Sequence, residues 1–262
     1  MPDANGSDQL RLRAEVCVVA CADLFRDDGE VLASAFGSIP RAGTSLARLT
    51  FNPNLLQTDG EARLIAHPAP VGSRDVLNVP TEGYLPFRRS FDWLWSGRRH
   101  ALMGASQIDR HGNANLSVIG DWARPKVQLV GVRGLPGNTL NHPCSYWIPH
   151  HSPRTLTERV DMVSGLGHDA VRLPEGVSDA FVEIRGVVTD LAVLDFEGEA
   201  RTMRVRSVHP GVTLDQVFEA TGFEIKAADD LDETRPPTVE EQRLIREVID
   251  PEGRCLQEIA VR

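Results

Sequence analysis

Residues 31–58, VLASAFGSIPRAGTSLARLTFNPNLLQT, contain the pattern that best indicates the fold class. Val31–Phe36 is short and rich in small apolar residues and predicts a strand, which a loop at Gly37–Pro40 follows. Ala42–Leu49 predicts a helix, and Leu55–Thr58 predicts a second strand. This strand–helix–strand succession, flanked by further helices, favours a parallel or mixed sheet covered by helices. We therefore expect an α/β fold with a mostly parallel sheet.

Further elements are predicted on both sides of this stretch. Residues 11–25 place apolar side chains at steps of three and four, which is typical of an amphipathic helix. Thr213 and Thr238 open capping boxes, with Gln216 and Glu241 three residues later, and so predict two helix starts. Short apolar or alternating segments predict further strands at 101–103, at 127–130 and, as a pair, within 181–196.

The composition is that of a globular protein. The chain has 262 residues, 41% of them hydrophobic, and we find no repeat or linker, so we expect one domain over 11–262 behind a flexible tail at 1–10. No apolar run approaches the ~20 residues that span a bilayer, and the polar N-terminus lacks a leader pattern, so we expect a cytoplasmic protein. A net charge of −9 argues against a nucleic-acid surface but allows a locally bound anionic ligand.

Neither the cysteines nor the histidines indicate a metal site. The four cysteines contain no C-x-x-C pair and are interpreted as reduced core residues: Cys17, Cys21, Cys144 and Cys255. His150 and His151 are adjacent, and adjacent residues of regular structure do not present both rings to one ion. We interpret them, with His142, as surface or loop histidines and expect no metal and no cofactor.

Residues 66–95 indicate a loop and an aromatic helix. Prolines and glycines without a clear period predict a long loop at 66–86, and a long loop inside a domain is usually functional or interfacial. Residues 87–95 predict a short helix that is unusually rich in aromatic side chains. These side chains could pack in the core or be buried against a partner chain, and the sequence leaves both interpretations open.

Two segments combine glycines with polar residues in a way that could serve chemistry. Gly104–Asp109 runs into Arg110–Asn115, where Gly112 and Asn113 are typical of a tight turn. Gly131–Gly137, GVRGLPG, directly follows a predicted strand and places three glycines beside Arg133, so that backbone N–H groups could approach a ligand. Each segment could equally be an ordinary turn, so the residues alone indicate a small-molecule-binding α/β protein.

Taken together and in order, these segments resemble the β subunits of class I CoA-transferases, in particular the glutaconate CoA-transferase branch. The matching pieces are Gly104–Asp109 with Gly112-Asn113, Ile119–Asp121 with Pro125, the loop 131–137, His209–Thr213 through Thr221–Phe223, and Leu244–Arg246 with Ile249–Pro251. They span nearly the whole chain. The resemblance implies an open CoA-transferase-like fold, a partner α subunit of similar fold, and a CoA thioester as ligand.

One departure from that family concerns its nucleophile. The family's β subunits attack the thioester with a glutamate in a short Glu-Ser-Gly stretch, which falls here on Thr58-Asp59-Gly60. Without a covalent carboxylate, exchange of CoA between two acids loses its intermediate. Asp59 could replace the glutamate, although neighbouring strand residues face opposite sides of a sheet.

A hydrolase branch of the same family is the nearer resemblance: the β subunits of the actinobacterial cholesterol ring-cleaving hydrolases. It rests on Leu56–Ala62 with its Thr-Asp-Gly, on Arg48–Phe51 and Gly97–His100, and on the run from Gly131 through Asn141-His142 to Trp147. This resemblance implies hydrolytic, retro-Claisen cleavage of the last steroid ring of a CoA thioester, in an α2β2 complex without membrane or nucleic-acid partners.

The implied site residues follow from this resemblance. We expect the general base in the α subunit, and substrate or CoA contacts from Thr58, Gly131, Arg133, Gly134, Gly137 and Asn138, with Asp59, Asn113 and Asn141 as secondary candidates. Arg133 suits a carboxylate or a phosphate, but it could also be a surface residue of the turn. Two alternatives stay open: a working CoA-transferase subunit and a non-catalytic scaffold.

Overall fold

The computed structural model describes residues 4–60, 62–73, 78–169, 175–176, 178–198 and 200–260. The helices are α1 (Ala4–Asp23), α2 (Ser38–Leu49), α3 (Arg89–Trp95), α4 (Leu135–Asn141), α5 (Leu214–Glu219), α6 (Val239–Arg243), which continues as a π-helix (Leu244–Ile249), and α7 (Arg254–Ala260). The strands are β1 (Leu32–Ala35), β2 (Arg63–Ile65), β3 (Thr81–Tyr84), β4 (Arg99–Met103), β5 (Gln107–Ile108), β6 (Ala114–Asn115), β7 (Val118–Ile119), β8 (Val127–Gln128), β9 (Cys144–Ile148), β10 (Ile184–Thr189), β11 (Ala192–Asp195), β12 (Arg204–Val208) and β13 (Lys226–Glu233).

The chain forms two compact units. The first unit joins Met1–Met103 to Thr234–Arg262, and the second is Gly104–Glu233. In the first, β1 pairs with β4 in parallel and β2 with β3 in antiparallel fashion. In the second, β9–β10 and β12–β13 are parallel pairs, whereas β10–β11 and β11–β12 are antiparallel. The α/β class is confirmed, and a single domain over 11–262 stays a prediction.

The core of the first unit forms around α1. Residues 14–22 are buried on every side of the helix, because α2 and α7 pack against it. A Cβ on Gly43 in α2 would lie 2.6 Å from Cβ of Cys21, so only glycine allows the two helices to approach this closely. The helix at 11–25 is therefore confirmed, but its predicted amphipathic character is wrong, since no face of residues 14–22 is left to solvent.

The C-terminal segment closes the first unit through charged contacts. The buried Glu15 of α1 forms an ion pair with Arg246 at 2.6 Å, and Arg235 bridges Asp23 and Glu241 at 2.7 and 2.9 Å. Glu258 of α7 accepts hydrogen bonds from the N–H groups of Ser38 and Ile39, at 2.6 and 3.1 Å, and so caps the start of α2. Residues from the N-terminal and C-terminal segments thus form one folded unit.

The second unit ends its sheet on an acidic strand. β13 reads KAADDLDE and pairs with β12, and its exposed carboxylates discourage a further strand from adding to this edge. Both predicted capping boxes are confirmed, Thr213 on Gln216 in this unit and Thr238 on Glu241 in the first, because such boxes depend only on neighbouring residues.

Several sequence predictions differ from the structure. The predicted strand Leu55–Thr58 forms two isolated bridges, Leu32–Leu56 and Thr58–Leu64, because the chain changes partner within two residues. Val127–Val130, predicted as a buried strand, is mostly exposed, and only its first two residues form β8. Residues 4–10 of the expected flexible tail are helical in α1, and residues 1–3 lie outside the described chain.

Two other predictions, on the cysteines and on the strand pair within 181–196, are confirmed. All four cysteines are reduced and buried. The strand pair within 181–196 is β10 and β11, which turn at Asp190 and Leu191. None of the helices in the described part of the chain has the length and apolar character that a bilayer crossing requires.

Candidate functional site

The candidate site of the first unit is the turn at Thr58-Asp59-Gly60, where the transferases have their glutamate. Thr58 is half-buried, and its hydroxyl accepts a hydrogen bond from Gly60 N–H at 3.2 Å. Gly60 has φ 86°, which favours glycine at this turn, and a Cβ there would meet nothing within 4 Å. The space next to Cα of Gly60 is therefore free of neighbouring atoms.

The carboxylate of Asp59 is engaged within this turn. Its Oδ1 accepts N–H bonds from Ala62 and Arg63 at 3.0 and 3.1 Å, while its own N–H donates to the Arg63 carbonyl. A carboxylate that accepts two backbone bonds is oriented by them and is a poorer nucleophile than a free one. The geometry thus speaks against Asp59 as the replacement nucleophile.

In the second unit, the segment 104–115 is a buried hairpin. Oδ1 of Asp109 accepts bonds from His111 N–H, from Asn113 N–H and from the Asn113 amide, all at 3.0–3.1 Å. The Asn113 side chain also accepts from Gly167 N–H at 3.0 Å. Gly112 has φ 80°, and a Cβ there would lie 2.9 Å from the ring of Phe196. These contacts support the interpretation of Asn113 as a turn residue.

The loop Gly131–Gly137 differs from the hairpin because its first residues are open to solvent. Gly131 has φ 88°, and Val132, Arg133 and Gly134 are exposed. Arg133 has φ 52°, a left-handed conformation that costs a non-glycine residue roughly 1–2 kcal/mol. Strain of this kind concentrates at ligand sites. The loop thus holds an exposed guanidinium on a strained backbone.

Buried anchors fix the end of this loop. Leu135 begins α4 and is buried, and a Cβ on Gly165 would lie 2.7 Å from its Cγ. The hydroxyl of Thr139 accepts from Leu166 N–H at 3.1 Å. The exposed residues are therefore held on a rigid support, which a preorganised ligand site needs.

The two asparagines after the loop bond within the chain. Asn138 is buried, with Oδ1 3.3 Å from His142 Nε2, and the Asn141 amide donates to the Gly137 carbonyl at 2.7 Å. Nδ1 of His142 donates to the Pro143 carbonyl at 2.9 Å. Both asparagines thus have structural partners, and their predicted substrate contacts stay predictions.

The histidines interpreted as surface or loop residues do lie in loops, but two of them are buried. His142 and His151 are almost fully enclosed, whereas His150 is half-buried. His151 contacts Thr189 through Nδ1 at 3.0 Å and Thr221 through Nε2 at 2.9 Å. The sequence shows the adjacent pair but not the threonines, which lie far along the chain.

The surroundings of His151 hold it neutral. Nε2 of His151 lies 2.9 Å from the Thr221 hydroxyl, which donates to the Val217 carbonyl at 2.7 Å, and Nδ1 lies 3.0 Å from the Thr189 hydroxyl, which donates to the Ala192 carbonyl at 3.1 Å. Burial, with a smaller contribution from His209, lowers the pKa of His151 from 6.5 to about 4. Within the described ranges, no three His, Cys, Asp or Glu side chains could hold a metal ion together.

These observations define a class of protein. A family model described as coenzyme A transferase matches residues 88–220, and the chain belongs to that family. The matched residues include the buried hairpin 104–115 and the loop Gly131–Gly137. They also include the strands β9 and β12 of the second unit.

The individual relatives are more specific. The chain is 50% identical to the cholesterol ring-cleaving hydrolase IpdB subunit of Rhodococcus jostii, over 95% of this chain and 96% of that one. It is 31% identical to one chain of the 3-oxoadipate CoA-transferase of Pseudomonas knackmussii, over 88% of this chain and 91% of that one. The crystal structure of R. jostii RHA1 IpdAB superimposes with a TM-score of 0.88 at 50% identity, covering 95% of this chain and 98% of that chain.

The predicted site residues lie in both units. Thr58 and Asp59 share one turn of the first unit. Gly131, Arg133, Gly134, Gly137, Asn138 and Asn141 follow one another in the second, which also contains the Asn113 hairpin. The exposed members of this set are Arg133 and Gly134, while Asn113 and Asn138 are buried.

Proposed function

We propose that this chain is the β subunit of a heteromeric hydrolase that opens the last steroid ring of a cholesterol-derived CoA thioester. Its 50% identity to the R. jostii hydrolase subunit, over nearly the whole of both chains, supports the substrate class. The observation that carries the chemistry is the turn at 58–60, where the nucleophile position holds Thr58 and the carboxylate of Asp59 accepts two backbone N–H bonds.

The proposed reaction is a hydrolytic retro-Claisen cleavage. A base removes a proton from water, and the water oxygen bonds to the ring carbonyl β to the thioester. The carbon–carbon bond then breaks, its electron pair forms the thioester enolate, and the enolate carbon takes the proton back. The products are a carboxylic acid and an acyl-CoA within one molecule, and water is the only other reactant.

This chain contributes binding and charge stabilisation in the proposal. Arg133 pairs with a substrate carboxylate or a CoA phosphate, and N–H groups of Gly134 and Gly137 face the developing enolate. The N–H of Gly131 donates to the Leu116 carbonyl at 3.0 Å, so Gly131 supports the turn of the loop instead. One such donor is typically worth ~3 kcal/mol of transition-state stabilisation. Thr58 of the first unit and Asn138 of the second unit are the proposed side-chain contacts to the substrate, with Asn141 as a secondary contact. Asp59 and Asn113 have no substrate role in this proposal, because the fold itself engages their polar groups. The base comes from a CoA-transferase-like α subunit in an α2β2 complex.

The proposal needs no cofactor beyond the CoA portion of the substrate and no metal, because water and a base suffice for the cleavage. It also places the complex in the cytoplasm, where CoA thioesters of catabolism are available.

The test is an assay of the purified complex with the ring-containing CoA thioester in heavy-oxygen water. We expect mass spectrometry to find the opened product with one heavy oxygen in its new carboxylate. Acetate is added in a parallel reaction as an acceptor. Formation of acetyl-CoA without ring opening would show a CoA-transferase and contradict the proposal.

The transferase alternative is supported by the 31% identity to the 3-oxoadipate CoA-transferase chain. It requires a covalent carboxylate, from Asp59 or from the partner. Hydroxylamine treatment of the complex during turnover, followed by peptide mapping, detects such an intermediate. The scaffold alternative requires that Arg133→Ala leaves the kinetics of an intact complex unchanged.

A further inference from the structure

An aromatic surface lies on the first unit outside the turn at 58–60. It consists of Tyr84 at the end of β3 and of Phe87, Phe91 and Trp95 on and just before α3, and we call it the aromatic face. Their exposed fractions are 75%, 76%, 45% and 68%. The interpretation of the helix 87–95 as core packing is therefore wrong for these side chains, because of the apolar residues of α3 only Leu94 is buried.

The rings on α3 form one continuous row. Phe87 and Phe91 meet edge to face with centroids 5.6 Å apart, and Phe91 and Trp95 follow at 6.1 Å. The spacing of four residues places Phe91 and Trp95 on one side of α3, and Phe87 precedes the helix by two residues. Leu94, three residues after Phe91, is the buried residue of α3 and anchors the helix in the core. The row is therefore presented outward by a fixed helix rather than by a mobile loop.

Charged side chains lie on α3 beside this row and just after the helix. Arg89 and Asp92 form an exposed ion pair at 3.1 Å. Arg98 pairs with Glu30 at 2.6 Å and lies over the ring of Trp93 at 5.2 Å. An apolar centre with a charged and solvated edge is the usual anatomy of a protein–protein interface.

The three rings in contact expose a sizeable apolar area. At ~200 Å² for each aromatic side chain, the exposed fractions of Phe87, Phe91 and Trp95 amount to roughly 400 Å². An apolar patch of this size is often functional, and it is about half of the ~800 Å² that each partner contributes to a stable interface.

The aromatic face is continuous with the turn at 58–60. The N–H of Asp59 donates to the Arg63 carbonyl, and Arg63 in β2 stands opposite Tyr84 in β3. The N–H of Leu85 donates to the Ala62 carbonyl at 2.7 Å. One small antiparallel pair thus connects the position of the missing nucleophile to the first ring of the face.

We infer that the aromatic face is the docking surface for the α subunit, which rests on the proposed function. The turn at 58–60 has its carboxylate engaged, so the reacting group must come from a chain that covers this turn. A second copy of this chain would bring the same engaged carboxylate and the same Thr58. The occupant of the adjoining aromatic face is therefore the subunit that supplies the base.

The test compares charged substitutions in the complex. The α subunit is obtained by co-purification with the wild-type chain, and its dissociation constant is measured for Phe91→Glu, Trp95→Glu and, as a matched control, Phe181→Glu, an equally exposed phenylalanine of the second unit (71%). We expect at least ~30-fold weaker binding for the two face variants and an unchanged constant for the control. Melting curves of the free chain check that each variant is folded.

A photo-crosslinking amino acid at Phe87 identifies the occupant directly. A cross-link to the α subunit supports the inference, and a cross-link to a second copy of this chain overturns it. Unchanged α binding by folded Phe91→Glu and Trp95→Glu variants also overturns it. If the face variants lose the α subunit but the wild-type complex does not open the ring, the docking surface stands and the proposed function fails.

Discussion

Residues 104–115 and 131–137 both combine glycines with polar residues beside a predicted strand, yet the structure uses them differently. In the hairpin, Asp109 and Asn113 are buried and bond to each other and to backbone N–H groups. In the loop, Arg133 is exposed on a strained backbone. The polar side chains of the hairpin form hydrogen bonds within the fold, whereas the exposed guanidinium of Arg133 in the loop is accessible to a ligand. The two regions should therefore respond in opposite ways to substitution.

The largest expected effect is that of Asp109→Ala. The change leaves the N–H groups of His111 and Asn113 buried without their acceptor, and we expect the free energy of unfolding to fall by ~3–5 kcal/mol. Asp121→Ala is the matched control, because Asp121 accepts N–H bonds from Ala123 and Arg124 but is exposed. Denaturant unfolding of both variants measures the difference; similar costs at the two positions would refute the contrast.

The next effect is a pH dependence of stability that arises from the buried His151. Burial lowers the pKa of His151 to about 4, so the unfolded chain binds a proton more readily between that value and 6.5. Stability is therefore complete above pH 6.5 and decreases as the pH falls, by roughly 3 kcal/mol at pH 4.

The variant His151→Gln isolates the contribution of His151 to the pH dependence of stability. Burial also lowers the pKa of His168 to about 4, so the wild type has a slope of the same sign from both histidines. We expect urea unfolding at a series of pH values to give a shallower slope for the variant. An unchanged slope would mean that His151 is protonated in the folded chain.

A matched pair of glycine substitutions sharpens the comparison further. Gly112 and Gly131 have φ 80° and 88°, so alanine strains the backbone at both, by roughly 1–2 kcal/mol. Only Gly112→Ala also places a Cβ 2.9 Å from the Phe196 ring, which adds ~1–3 kcal/mol, whereas a Cβ on Gly131 meets nothing within 4 Å. Thermal unfolding should rank Gly112→Ala below Gly131→Ala, and the reverse ranking would contradict the structure.

The smallest expected change in stability is a gain. Arg133→Gly relieves a left-handed residue and should raise the free energy of unfolding by ~1 kcal/mol. Loss of the guanidinium should lower kcat/KM about 10- to 100-fold at the same time. Arg201→Gly is the control for activity, since Arg201 has φ 44° and lies outside the loop; it relieves similar strain, loses the bond from its guanidinium to the Val182 carbonyl at 3.2 Å, and should leave kcat/KM unchanged. A loss of stability in Arg133→Gly would remove the argument from strain.

Sequence patterns predict the elements that depend on neighbouring residues. The capping boxes at Thr213 and Thr238 are present, since each needs only four consecutive residues. The amphipathic interpretation of 11–25 is wrong because α2 and α7 both cover α1, and this arrangement depends on residues more than 200 positions away, such as Arg246 with Glu15. The predicted strand at Leu55–Thr58 is wrong, because Leu56 bridges to Leu32 earlier in the chain whereas Thr58 bridges to Leu64 later in the chain.

The sequence predicts where the candidate site lies better than it predicts what each of its residues does. Thr58-Asp59-Gly60 is found from its resemblance to a transferase motif, but the hydrogen bonds that engage Asp59 come from Ala62 and Arg63 and are visible only in three dimensions. Gly112 and Gly131 are indistinguishable by residue type, and only the proximity of Phe196 separates them. The burial of His142 and His151 escapes sequence reasoning in the same way, because their partners are distant or backbone groups: the Pro143 carbonyl and Thr189.

The contact of Glu258 with the first turn of α2 sets an order for synthesis of the chain. The first unit needs Ser38 and Glu258 together, so its helices cannot all be in place until Glu258 has left the ribosome. Gly104–Glu233 is contiguous and is translated entirely before that moment. At ~5–20 residues per second, the apolar helix α1 therefore waits on the order of ten seconds for its covering segment. Nascent chains of this protein should depend on chaperones at their N-terminal third rather than in their middle.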